Sequence, residues 1–172
     1  TRELAIQIHA SFAMYGRYTP TRQTVIFGGV NQSRQVADLN RGVDIVVATP
    51  GRLLDLMRQG HVDLGRVDTL ILDEADRMLD MGFLPDLKRI IGRVPTKRQT
   101  LLFSATLPHG IVNLAGQWLK DPIEVHVSPQ SPTVEKIQQS VLFVAQDKKR
   151  HLLTEWLRGN RWTRTLVFTR TK

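Results

Sequence analysis

The sequence predicts an α/β fold, a parallel sheet flanked by helices. Short apolar runs alternate with helical patterns along the chain. The runs at 44–48 (DIVVA), 69–72 (TLIL) and 100–103 (TLLF) are nearly continuously apolar, as strands covered on both faces must be. Each ends in a polar, glycine-bearing or acidic segment, which places chemistry at the carboxyl edge of the sheet, where such folds hold ligands.

The elements follow in order. Leu4, Ile8, Phe12 and Tyr15 recur at helical spacing, and Gly16 closes that segment. Residues 23–27 are rich in β-formers and run into Gly28-Gly29. Residues 31–40 predict a short helix with Val36 and Leu39 inward. The strand at 44–48 stops at Thr49-Pro50-Gly51, and residues 52–57 restart a helix. The strand at 69–72 delivers Asp73-Glu74-Ala75-Asp76; Leu87, Ile90, Ile91 and Val94 mark the next helix. The strand at 100–103 ends in Ser104-Ala105-Thr106, and Ile111, Leu114, Ala115 and Trp118 form a helical stripe. Residues 123–127 predict one more strand. Ser128-Pro129-Gln130-Ser131-Pro132 is polar and proline-rich, a linker. Beyond it come a strand at 137–144, a helix at 148–158 with Leu152, Leu153, Trp156 and Leu157 inward, and a strand at 165–169. This is the opening βαβ of a second α/β domain, too short to stand alone. The expected division is 1–128, a linker at 129–136, and 137–172.

Composition narrows the function. With 41% hydrophobic residues in 172, the chain is neither a disordered tail nor a collagen. Its apolar runs are far shorter than the roughly 20 residues that span a bilayer. No cysteine is present, which excludes disulfides, thiolate metal sites and thiol catalysis and fits a reducing, cytoplasmic setting. The net charge of +8 is uneven: residues 136–172 carry 9 basic and 2 acidic side chains, and residues 1–135 carry 15 and 14. A basic segment on a near-neutral body suits a polyanion such as nucleic acid, or simply a solvated surface. The five histidines show no metal-binding spacing; Trp118 and Trp156 read as core, and Trp162 as a packed loop aromatic or a base-stacking one.

Two adjacent carboxylates at a strand end can divide the work of phosphoanhydride hydrolysis. In Asp73-Glu74 one carboxylate can serve Mg²⁺, directly or through water, and the next can orient the attacking water. A solvated acidic turn fits the same two residues. Gly28-Gly29 lets a phosphate approach the backbone, because no Cβ blocks it. Pro50-Gly51 opens a helix whose free N–H groups suit an anion, and Arg52 in its first turn offers a fork of donors. Taken singly, these are equally an ordinary turn, an ordinary helix start and a surface charge. The tetrapeptide at 73–76 is expected by chance in only roughly a few chains per thousand of this length.

The ordered set TREL (residues 1–4), GG (28–29), TPGR (49–52), DEAD (73–76), SAT (104–106) and VFTRT (167–171) resembles the DEAD-box ATP-dependent RNA helicases over essentially the whole chain. The closing LVFTRTK resembles the bacterial RhlE-like branch. The resemblance implies two RecA-like domains with ATP between them and RNA across one face of both. On that basis 1–128 is the C-terminal part of the first domain and 137–172 the beginning of the second. Asp73 would hold Mg²⁺, and Glu74 the water. Asp76, Ser104 and Thr106 would couple the nucleotide site to the domain interface. Thr1, Arg2, Glu3, Gly28, Gly29, Thr49, Pro50, Gly51, Arg52, Thr169 and Thr171 would meet RNA through its sequence-independent backbone. The family's phosphate-binding G-x-x-x-x-G-K-[ST] is missing, since no Gly here precedes Lys. The adenine motif, the arginine finger and the proline before TREL are missing too. The chain therefore reads as an internal piece of a longer enzyme, without its opening strand and inactive alone. A DNA-dependent motor and a non-enzymatic RNA binder are the alternatives.

Overall fold

The computed structural model describes residues 1–127, 138, 140–160 and 163–169. The proline-rich linker, Ile137, Trp162 and Thr171 lie outside the described residues. The chain divides into two compact units, Thr1–Ile123 and Glu124–Lys172.

In the first unit, helix α1 (Arg2–Tyr15) starts where the Thr1 hydroxyl accepts the Leu4 N–H at 3.2 Å, a side-chain cap. It ends at Gly16, where a Cβ would sit 2.8 Å from the Phe12 carbonyl. Strand β1 (Gln23–Ile26) pairs in parallel with β2 (Ile45–Ala48), in register Gln23↔Ile45 through Ile26↔Ala48. Strand β2 begins one residue later than the apolar pattern, because the Asp44 carboxylate accepts the Arg22 N–H at 2.7 Å. Between them, α2 (Ser33–Asn40) buries Gln35, while Val36 and Leu39 are only half-buried. This corrects the expected inward face: Gln35 turns inward because its amide bonds the β1–α2 loop. Helix α3 (Pro50–Arg58) takes proline at its first position, where the missing N–H is of no consequence.

Strands β3 (Thr69–Leu72) and β4 (Gln99–Leu102) form a second parallel pair, Thr69↔Gln99 through Leu72↔Leu102. Among the described residues the four strands make two separate pairs rather than one continuous sheet. Between β3 and β4 lie α4 (Ala75–Asp80) and α5 (Leu84–Ile91). Helix α6 (His109–Trp118) follows β4. The core has three parts. Leu54 of α3 meets Leu64, Ile90 and Val94. Leu72 meets Leu87 and Ile91. Ala75 meets Ile111 and Leu114. Trp118 packs against the latter two, as a core residue should.

The predicted strand at 123–127 does not form: Ile123, Val125 and Val127 are exposed and pair with nothing in a ladder. In the second unit the described residues of 137–144 and 165–169 are likewise neither strand nor buried. β-branched residues favour strands only where a neighbouring strand and a packed face exist, and among the described residues these runs have neither. A 3₁₀ turn (Gln146–Lys148) leads into α7 (Lys149–Gly159), which buries no residue. Trp156 is 42% exposed, so it is not the core residue expected. Among the described residues, no helix is long and apolar enough to cross a membrane.

Candidate nucleotide and nucleic-acid site

The carboxyl ends of β3 and β4 carry the acidic segment and the Ser-Ala-Thr segment. The ladder continues past both strands, with Phe103 N–H donating to Leu72 C=O at 2.8 Å and Ala75 N–H to Phe103 C=O at 3.1 Å. This holds the two segments side by side. Glu74 occupies the left-handed region (φ 50°, ψ 48°) as the cap of α4. A non-glycine residue there stores strain of about 1–3 kcal/mol, the kind kept at functional sites. The turn is braced by Asp73, whose Oδ1 accepts the Glu74 N–H at 2.8 Å.

Asp76 is the hub. Its Oδ2 accepts the Thr106 hydroxyl at 2.7 Å and the Thr106 N–H at 2.9 Å, and its Oδ1 accepts the Arg77 N–H at 3.0 Å. The Ser104 hydroxyl accepts the Asp76 N–H at 3.2 Å and donates to Thr106 C=O at 2.7 Å. The Thr106 hydroxyl, above all, lowers the Asp76 pKa. Desolvation opposes it, and the Thr106 and Arg77 amides and Ser104 reinforce it. All three expected coupling residues thus share one network.

Glu74 is the uncommitted acceptor. Among the described residues its Oε2 is buried without a hydrogen-bond partner, and its Oε1 lies 3.7 Å from an Arg77 guanidinium nitrogen. A buried, unsatisfied carboxylate oxygen is suited to holding a water. Asp73 is exposed, and only its Oδ1 is engaged. Among the described residues no cluster of three or more His, Cys, Asp or Glu could hold a metal ion. This donor set fits Mg²⁺ carried by phosphates and water, which takes one or two carboxylates from the protein.

The ends of β1 and β2 hold six of the expected nucleic-acid residues, Gly28, Gly29, Thr49, Pro50, Gly51 and Arg52. Gly29 has φ +81°, and a Cβ there would collide with the Arg2 guanidinium; Gly28 has open space around it. Only the second glycine therefore holds a backbone conformation that a side chain would strain. The Arg2 guanidinium lies 5.9 Å from the Phe27 ring centroid. Arg52, 15% exposed, donates to Val30 C=O from both terminal nitrogens at 3.3 and 3.2 Å, with its Nε 3.8 Å from Asp55. Among the described residues, nothing hydrogen-bonds the Gly28 or Gly29 N–H. Thr49 ties this loop to β1 through its N–H on Ile26 C=O at 2.8 Å, and Pro50 and Gly51 form the first turn of α3. Thr1 and Glu3 sit in the first turn of α1, with Glu3 exposed. Thr169 is exposed in the second unit and far along the sequence from this cluster. Two residues escaped the sequence reading: Phe27, the shelf beneath Arg2, and Gln35, which holds the Phe27 carbonyl. The one signal in the sequence was a polar residue in a helix beside a glycine loop.

A parallel α/β layer that brings adjacent carboxylates and unpaired glycine N–H groups to its strand ends is built to handle phosphates. Residues 1–114 match the family described as DEAD/DEAH box helicase, and the chain belongs to that family. It is 44% identical over 177 residues to DEAD-box ATP-dependent RNA helicase 30 of Oryza sativa, covering 100% of this chain and 26% of that protein. It is also 44% identical over 175 residues to the ATP-dependent RNA helicase RhlB of Pseudomonas aeruginosa, covering 100% of this chain and 44% of that protein. A solved structure, a DEAD box protein from Methanococcus jannaschii, superposes with a TM-score of 0.71 at 35% identity, over 92% of this chain and 42% of that one. The fold is accordingly the RecA-like layer of helices around parallel strands. The chain spans about a quarter to under half of the length of these relatives.

Proposed function

We propose that this chain is part of an ATP-dependent RNA helicase, in which Mg²⁺–ATP hydrolysis is coupled to RNA binding and local duplex opening or RNP remodelling. The observation that carries this reading is the side-chain network joining the acidic segment to the Ser-Ala-Thr segment through Asp76. When bound, Mg²⁺ neutralises charge on the nucleotide phosphates. Asp73 would meet it, through water, with the oxygen that the Glu74 N–H leaves unused. Glu74 holds the attacking water on its unpartnered Oε2 and can take its proton. Asp76, Ser104 and Thr106 move as one body and relay the state of the nucleotide site. The Gly28 and Gly29 N–H groups, Arg2, the remaining Arg52 donors and the first turn of α3 (Thr49, Pro50, Gly51) take RNA phosphates without reading bases. Thr1 and Glu3 belong to the same reading, and the resemblance to the family assigns RNA contacts to Thr169 and Thr171 as well.

The finer readings belong to the same proposal. Residues 1–128 end a first RecA-like domain, 129–136 link it, and 137–172 begin a second. The setting is cytoplasmic, and the branch is RhlE-like, on the texture of the closing residues. The test is phosphate release by the whole protein with single-stranded RNA or with DNA of the same sequence. RNA stimulates release, DNA far less for want of 2′-hydroxyls, and chelating Mg²⁺ abolishes it. Equal stimulation by DNA would make this a DNA motor, and no release with either would make it a non-enzymatic binder.

A further inference from the structure

Gln35 belongs to no motif read from the sequence. It is 6% exposed, and Thr24 is the only other buried polar residue among those described. Its Nε2 donates to Phe27 C=O at 3.1 Å, while its Oε1 is buried with no partner among the described residues. A half-satisfied buried amide is a poor choice for filling space, since leucine or methionine would bring no unpaired oxygen of its own; either would, however, leave the Phe27 carbonyl without its donor. What the amide alone provides is a grip on the Phe27 carbonyl.

That grip has a geometric consequence. The peptide bond between Phe27 and Gly28 is trans, as all are among the described residues, so its C=O and N–H point in opposite directions. Fixing the carbonyl toward α2 therefore aims the Gly28 N–H away from α2. At the other end of the loop, Arg52 fixes Val30 C=O in the same way. The segment is fastened through its two flanking carbonyls, and the glycine N–H groups between them stay free of intramolecular bonds among the described residues.

We propose that Gln35 is a positioning residue for RNA binding: its amide sets the peptide plane that presents the Gly28 N–H to a phosphate oxygen. This rests on the RNA reading above. The experiment compares the whole wild-type protein with Gln35→Leu and Gln35→Glu, measuring the affinity for two unrelated single-stranded RNAs and RNA-stimulated ATP turnover. Gln35→Leu raises the half-saturating RNA concentration about tenfold for both sequences. Its turnover at saturating RNA changes by less than about twofold, and its melting temperature does not fall. Gln35→Glu keeps the shape but, near pH 8, has no proton for the carbonyl, so it binds as weakly as Gln35→Leu. Burial raises the pKa of the new carboxyl, and protonation toward about pH 5.5 restores the donor, so its affinity returns toward wild type at the same pH. His9 of α1 and Arg34 and Asp38 of α2 line the same groove, and Arg2 lies over Phe27. All four are present in the wild type, whose own pH profile is the reference. Wild-type RNA affinity in Gln35→Leu overturns the inference, as does a pH-independent ratio of Gln35→Glu to wild type. If Gln35→Leu does not fold, that ratio decides alone. A wild-type protein that binds no RNA overturns the functional reading instead.

Discussion

The two strand-end clusters hold their loops by opposite means. At the ends of β3 and β4 the tie is a side-chain acceptor: the Asp76 carboxylate takes the Thr106 hydroxyl and N–H and closes a separation of 30 residues. At the ends of β1 and β2 the ties run from side chains to backbone carbonyls, Gln35 to Phe27 and Arg52 to Val30. The first arrangement makes two motifs one rigid body, so neither shifts alone. The second spends its side chains on carbonyls and leaves backbone N–H groups on display. A site that must pass on the state of a bound nucleotide needs the former. A surface that must accept any phosphate, whatever base follows, needs the latter.

The sharpest way to separate the clusters is Glu74→Gln in the whole protein. The amide keeps the shape but cannot take a proton from the water, so turnover falls by about 10²–10⁴-fold while RNA affinity holds. Steady-state phosphate release and RNA titration on one preparation check this; near-wild-type turnover would remove Glu74 from the chemistry. A smaller effect, on the other cluster alone, is expected from Gly29→Ala. The new Cβ meets Arg2 and forces a left-handed alanine, a strain of about 1–2 kcal/mol, which is roughly tenfold in RNA affinity. ATP affinity stays unchanged. Displacing Arg2 also lowers the slope of log affinity against log salt by up to about one unit. An unchanged salt slope would mean that Arg2 contacts no phosphate.

Smallest in turnover is Ser104→Ala with Thr106→Ala. Neutral hydrogen bonds are modest beside a chemical barrier, so ATP turnover falls by less than about threefold, while separation of a short RNA duplex falls by about tenfold or more. The same variant has a pH signature. The Asp76 pKa is lowered in the fold, chiefly by the Thr106 hydroxyl. The stability this contributes is fully present above the ordinary aspartate value and is lost as pH falls through the lowered one. Acid unfolding curves of wild type and variant should therefore differ most above the ordinary value and converge on acidification. Equal fractional losses of turnover and unwinding would assign these hydroxyls to folding or chemistry and collapse the contrast between the clusters.

The element order of the first unit was legible because helical and strand periodicity repeat local physics. Apolar spacing marked α1, α5 and α6, and proline at the first turn marked α3. The motifs were legible because phosphate chemistry needs particular residue types next to one another: Asp73 beside Glu74, and glycine beside glycine. Helix α4 was not, since it starts inside the acidic segment and Ala75 is held by the Phe103 carbonyl just past β4, 28 residues later in the chain. Among the described residues, the strands expected at 123–127, 137–144 and 165–169 do not form, for the complementary reason. Isoleucine and valine state a preference, but a strand is a relation between two segments, and its partner is not written in its own residues.

The sequence by itself determined which residues could do chemistry, their order along the chain and the parallel α/β class, because side-chain type, charge and local periodicity are properties of residues and near neighbours. The tertiary structure decided which of them act together. It put Thr106 on Asp76, set Gly29 rather than Gly28 in the left-handed region with Arg2 laid against it, and turned Gln35 inward to the Phe27 carbonyl. Each of these depends on where two distant segments meet, and that position is set by packing the whole core rather than by any stretch of sequence.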